Sequence, residues 1–133
     1  MARRTEPSGT GRRAKDAPVP PPGLPLRPTA FAALAALAEG PVAGFTVLDR
    51  VNATTPGRPI LGPGTLYRLL RDLRREGLIE RSGPPSGEAG GDDERRTYHV
   101  LTPRGRSVLH AEALRLRRTM EAAGLLPVRD VPG

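Results

Sequence analysis

Four leucines, Leu66, Leu69, Leu70 and Leu73, stand at i, i+3, i+4 and i+7 within ILGPGTLYRLLRDLRREGLIER, residues 60–81. That spacing puts all four on one stripe of a helix and does not fit the two-residue alternation of a half-buried strand. Pro63 marks the start, because a proline in the first turn lacks only an N–H that the helix leaves unbonded. Gly77 marks the stop. At about 100° per residue, the side opposite the leucines carries Gly64, Arg68, Arg71 and Arg75. Tyr67 and Arg74 lie along one edge, Thr65 and Asp72 along the other. The opposite side has no acid. A helix divided this way lays its leucines on a core and turns its arginines to water or to an anion.

The flanking sequence supplies that core. Upstream, Thr29 is a suitable N-cap for a helix through Glu39, with Phe31, Leu34, Leu37 and Ala38 at helical spacing and Gly40-Pro41 as its end. A second helix is predicted from about Ala43 to Asn52, with Phe45, Val47, Leu48 and Val51 inward. Ala53–Pro59 reads as loop, and Ile60-Leu61 as a short strand against the hairpin that follows. Downstream, Leu78–Arg81 and Thr97–Leu101 read as two short strands joined by the Gly- and Pro-rich loop Ser82–Arg95. Tyr98 and His99 alternate along the second strand, one inward and one outward, and His99 is read as a surface histidine. Thr102-Pro103 opens a fourth helix to about Ala123, before Gly124. Along it Leu109, Ala113, Leu116, Met120 and Ala123 recur at 4-3-4-3 spacing, a short heptad seam; Val108 and Leu114 lie off it.

Helix, helix, helix, hairpin, helix is the order of a mainly α fold with a small β-hairpin wing: a winged helix-turn-helix followed by a C-terminal dimerisation helix. The expected divisions are a disordered, basic, Pro-rich arm over 1–28, the winged helix-turn-helix over 29–101, the dimerisation helix over 102–124 and a flexible tail over 125–133. The arm holds six basic and two acidic residues, net +4, and too little apolar surface to offset the entropy of ordering.

The chain has 21 basic and 14 acidic residues, a net charge of +7, and every basic residue but Lys15 is arginine. That balance favours a polyanionic partner, while a GC-rich codon composition accounts for much of the arginine bias. There is no cysteine, which excludes disulfides, thiolate metal sites and thiol catalysis. Two histidines, His99 and His110, are too few for a histidine metal site, and no cofactor is expected. No nucleophile–base pair or paired carboxylate stands in an apolar setting. Gly62-Pro63-Gly64 is too short for a phosphate loop and lacks its lysine, so the chain does not read as an enzyme. No apolar run approaches the roughly 20 residues of a membrane span. Arg3-Arg4 and Arg12-Arg13 lie too far from Ala30–Ala38 for an export signal, and a cytoplasmic location is expected.

In a winged helix-turn-helix the third helix enters the major groove of duplex DNA. Arginine suits that place because its planar fork bonds guanine O6 and N7 together and also neutralises phosphate. The candidate DNA contacts are therefore Gly64, Thr65, Tyr67, Arg68, Arg71 and Arg75, with Arg95 and Arg96 at the base of the wing. Glu88, Asp92, Asp93 and Glu94 would hold the wing tip away from phosphate. The alternative to DNA is a winged-helix module that binds a protein partner, which the acidic loop would favour.

Three segments, AEGPVAGFTVLDRV, LGPGTLYRLLRDLRREGLIER and RRTYHVLTPRGRSVL, together resemble the PadR family of bacterial transcriptional regulators, in its compact form with one C-terminal helix. The resemblance implies a homodimeric repressor, joined through the helix after the wing, on double-stranded DNA. It departs from the family at Ala43, where histidine often precedes the glycine. The absence of tryptophan also removes the side chains with which some compact members hold flat aromatic compounds. A small-molecule effector, if there is one, stays unidentified.

Overall fold

The computed structural model describes residues 25–84 and 95–126. Its elements run α1 (Pro28–Ala36), β1 (Val42–Ala43), α2 (Gly44–Ala53), α3 (Pro63–Arg75), β2 (Ile79–Ser82), β3 (Tyr98–Leu101) and α4 (Pro103–Ala122). The helices meet over a single aliphatic core, against which the sheet closes. Ala33, Leu34, Leu37, Val47, Val51, Leu66 and Leu70 are all fully enclosed there. The fold is the mainly helical, winged arrangement that the sequence pattern predicts.

The leucine stripe of α3 behaves as its spacing requires. Leu66, Leu69, Leu70 and Leu73 are all buried, and each contributes on the order of 1.5–3 kcal/mol by leaving water. The helix starts at Pro63 after Gly62. It ends where Gly77 takes φ +78°, a left-handed turn that glycine adopts without a Cβ clash.

Four expectations need correction. The first helix begins one residue before Thr29: Arg27 is its N-cap and Pro28 occupies its first position. Thr29 therefore lies inside the first turn and caps nothing. Leu26 packs against the core. Ile60-Leu61 is not a strand; its backbone N–H groups go to the side chain of Asn52 instead. The third strand is Val42–Ala43, just after Gly40-Pro41, and it gives an antiparallel sheet in the order β1-β3-β2. Phe45, expected inward, is 44% exposed because it sits in the first turn of α2, outside the Val47–Val51 stripe.

The fourth correction is His99. The register sets it between Val42 on β1 and Arg81 on β2. Directly opposed residues share a face, so His99 lies with Val42 on the core side and is fully buried. Its neighbour Tyr98 is half-buried on the other face. Alternation along the strand puts the two residues on opposite faces without deciding which one turns inward.

Two motifs that stand far apart in sequence meet at one junction. The Thr102 hydroxyl donates to the Gly77 carbonyl at 2.6 Å and accepts the Gly105 N–H at 2.9 Å, while the Thr102 N–H donates to the Leu78 carbonyl at 3.1 Å. One residue thus caps α4 and binds it to the exit of α3. Gly105 lies so close to the Leu78 carbonyl that any Cβ would collide with backbone. This explains the glycine three residues after the cap.

Candidate nucleic-acid interface

The candidate interface centres on α3, whose inward leucines force its other side outward. Gly64, Thr65, Arg68, Arg71 and Arg75 are all exposed. At the N-terminus the first intrahelical bond runs from the Leu66 N–H to the Gly62 carbonyl at 3.1 Å. The N–H groups of Gly64 and Thr65 come before it and point out of the helix end, where the helix dipole is positive. Anionic oxygen is the natural acceptor for such groups. No acid stands in that first turn.

Tyr67 differs from the other candidates. It is half-buried, with its ring packed against the core. Arg75 is paired with Asp72 at 3.4 Å, but both side chains are well exposed. A surface pair of this kind is worth about 0–1 kcal/mol, so it gives way readily to a phosphate. Arg74, on the flank, is half-buried.

The wing base is held by α2. The N–H groups of Gly44 and Phe45, in the first turn of α2, donate to the carbonyls of Thr97 at 3.0 Å and Arg95 at 2.9 Å. These bonds leave the side chains of Arg95 and Arg96 exposed. Arg81, across the ladder from His99, adds an exposed cation to the same hairpin. The acidic stretch with Glu88, Asp92, Asp93 and Glu94 lies outside the described residues, as do the arm up to residue 24 and the tail from 127.

On α4 the candidate seam divides. Leu109 is 5% exposed and belongs to the hydrophobic core, with Val108. Ala113, Met120 and Ala123 are exposed and Leu116 is half-buried, so the apolar positions beyond Glu112 face away from the core. Leu114 and Leu125 are exposed as well.

Sequence reasoning missed Glu112, which is 1% exposed in the middle of α4. Arg115 bonds both of its carboxylate oxygens, at 2.7 and 2.9 Å, and the Leu26 N–H donates to Oε2 at 3.0 Å. The hydrogen-bonded Arg115 lowers the Glu112 pKa, burial opposes the shift, and the Leu26 N–H reinforces it. The Arg115 pKa rises through the same bond. The i, i+3 spacing of this pair was legible; the contact with Leu26, 86 residues away, was not. Two further arginines act as backbone donors. Arg50 reaches the Ala36 carbonyl at 2.8 Å and Arg106 the Ala38 carbonyl at 3.2 Å. Both satisfy the end of α1, where cations complement the helix dipole.

Among the described residues no cluster of three His, Asp or Glu side chains could hold a metal ion. No helix among them is long and apolar enough to cross a membrane.

The family model described as "Transcriptional regulator PadR-like family" matches residues 33–111, which run from α1 through the first half of α4 and include the whole arginine-faced helix. The chain belongs to the PadR-like family. Solved PadR structures share its fold. A PadR family transcription regulator from Clostridium difficile is 21% identical with a TM-score of 0.59, over 72% of this chain and 94% of that one. A PadR-like transcriptional regulator from Bacillus cereus is 20% identical with a TM-score of 0.57, over 71% and 86%. A probable transcriptional regulator from Pseudomonas aeruginosa reaches 28% identity and a TM-score of 0.57, over 80% and 71%. No curated protein matches the chain. As a PadR-like protein it is a DNA-binding transcriptional regulator, and the family is not one of enzymes.

Proposed function

We propose that this PadR-like chain is a homodimeric repressor that reads a pseudo-palindromic operator through α3 and the wing. The observation that carries the reading is the outer face of α3, where Arg68, Arg71 and Arg75 share an exposed side beside a helix N-terminus with open N–H groups. Each subunit would place α3 in a major groove, with Gly64 and Thr65 against phosphate and the arginines on base edges and backbone. Arg95 and Arg96 would hold the flanking phosphates. Two such helices reach half-sites about 10 bp apart, or a multiple of that. A dimer seated there excludes polymerase from the promoter.

The dimer would form through the outer half of α4. A 20-residue helix is about 30 Å long, and beyond Glu112 its apolar positions Ala113, Leu116, Met120 and Ala123 are not in the core. Leu109 anchors the base of that seam within its own subunit. An effector would act by changing the spacing of the two α3 helices; with no tryptophan in the chain, a tryptophan-lined aromatic site is not proposed. The protein would act in the cytoplasm.

The experiment is binding of the full chain to randomised duplexes, followed by sequencing of those retained. Enrichment of a two-fold-related motif supports the reading. Absence of any motif, with retention of a protein partner, supports the winged-helix interaction module instead.

A further inference from the structure

The turn in a helix-turn-helix unit commonly takes about 3–4 residues, short enough to set the angle of the second helix by itself. Here the connection from α2 to α3 takes nine residues, 54–62, and contains Gly57 at φ +80°. A connection of that length does not by itself fix where the next helix begins. One side chain ties its far end down. Asn52, in the last turn of α2, accepts the Ile60 N–H at 2.8 Å and the Leu61 N–H at 3.0 Å on Oδ1, and its Nδ2 donates to the Leu61 carbonyl at 3.0 Å. The amide orientation is determined, because two donors face its oxygen and a carbonyl faces its nitrogen. These bonds end one residue before Gly62, whose carbonyl accepts the first intrahelical bond of α3.

We propose that Asn52 is a specificity-determining positioning residue, which fixes the entry of α3 and so the placement of Gly64, Thr65 and Arg68 in the groove. The inference rests on the DNA-reading function proposed above. Base readout depends on hydrogen-bond geometry, which weakens steeply with misalignment. Phosphate attraction depends on it far less, because it is Coulombic and is mostly made by long, adaptable side chains. Loss of the Asn52 bonds therefore lowers discrimination between sequences far more than general affinity for DNA, which loses only the part that the Gly64 and Thr65 N–H groups supply.

The test uses the full chain, a duplex enriched from a randomised pool by the wild type, and a scrambled duplex of the same composition. Asn52→Ala is expected to lower the ratio of the two dissociation constants about tenfold or more. Its affinity for the scrambled duplex should fall much less than its affinity for the selected one, and the slope of log K against log salt should stay the same. Asn52→Asp keeps an acceptor for Ile60 and Leu61 but sets a carboxylate oxygen against the Leu61 carbonyl. It should lose less discrimination, and it carries the test should the alanine variant not fold. Val108→Ala weakens the core far along the chain and is expected to keep the full ratio. A wild-type ratio in folded Asn52→Ala, or an equal loss in Val108→Ala, overturns the positioning role alone. A wild type that enriches no duplex overturns the DNA-reading function and this inference with it.

Discussion

Glu112 shows how much one residue can hold together. Its carboxylate joins Arg115 on the same helix to the Leu26 N–H at the other end of the domain. Because its folded pKa lies below its ordinary value of 4.5, it contributes stability that is fully present above that value and lost as pH falls through the folded pKa. Glu112→Gln should cost about 1–2 kcal/mol at neutral pH, with Arg115 half-exposed and partly screened. The gap in melting temperature between variant and wild type should narrow below about pH 4.5; a gap that does not change with pH contradicts this account. Gly105 is the steric counterpart. Gly105→Ala drives a methyl group into the Leu78 carbonyl, and a loss of about 1–3 kcal/mol is expected in urea unfolding. A variant as stable as wild type would show that α4 docks differently. Spacing and turn chemistry made the Thr102 cap legible in the sequence. The depth of Gly105 and Glu112 was not, because both depend on how α4 crosses residues that are remote along the chain.

At the scale of elements, local pattern worked where one signal dominated and failed where two competed. The α3 stripe is strongly amphipathic and its boundaries came out close to the observed ones. The Thr102-Pro103 start of α4 also held, with cap geometry to match. At α1 the capping chemistry of Thr29 pointed to a start one residue too late, because Pro28 stands just before it. Proline won the first position, since its fixed φ suits the helix and its missing N–H costs nothing there. Residues 42–43 are too short to show alternation, and only pairing with Tyr98 and His99 makes them a strand. Ile60-Leu61 looked like a strand because it is apolar and precedes the helix before the hairpin, but Asn52 uses up the N–H groups a ladder would need. The candidate contacts of α3 are testable at this scale. Arg71→Ala is expected to lose about 1–3 kcal/mol on a selected duplex and much less on a scrambled one, by titration at fixed salt. Arg95→Ala should weaken both alike and reduce the salt slope by about one. Equal loss on both duplexes for Arg71→Ala would remove it from base reading.

For the molecule as a whole, the same chain carries an arginine face on α3 and an uncovered apolar seam on α4. Arg68, Arg71 and Arg75 lie outward on α3 and Arg95 and Arg96 on the wing, while on the outer half of α4 Ala113, Met120 and Ala123 are exposed and Leu116 is half-buried, beside Arg117 and Arg118. The dimer proposal joins the two, because a pseudo-palindrome needs two α3 helices in fixed relation. Leu116→Glu should give a monomer by light scattering without loss of helix content, and an unchanged dimer would remove the seam. The central claim, that the arginine face reads sequence, is tested most directly by one titration. The full chain is bound to the duplex upstream of its own coding sequence and to a scrambled duplex, at low and moderate salt, followed by fluorescence anisotropy. The account predicts tighter binding to the native duplex at both salts, with the preference lost in the Arg68→Ala, Arg71→Ala, Arg75→Ala combination. A preference for the native duplex that survives removal of all three arginines would contradict it.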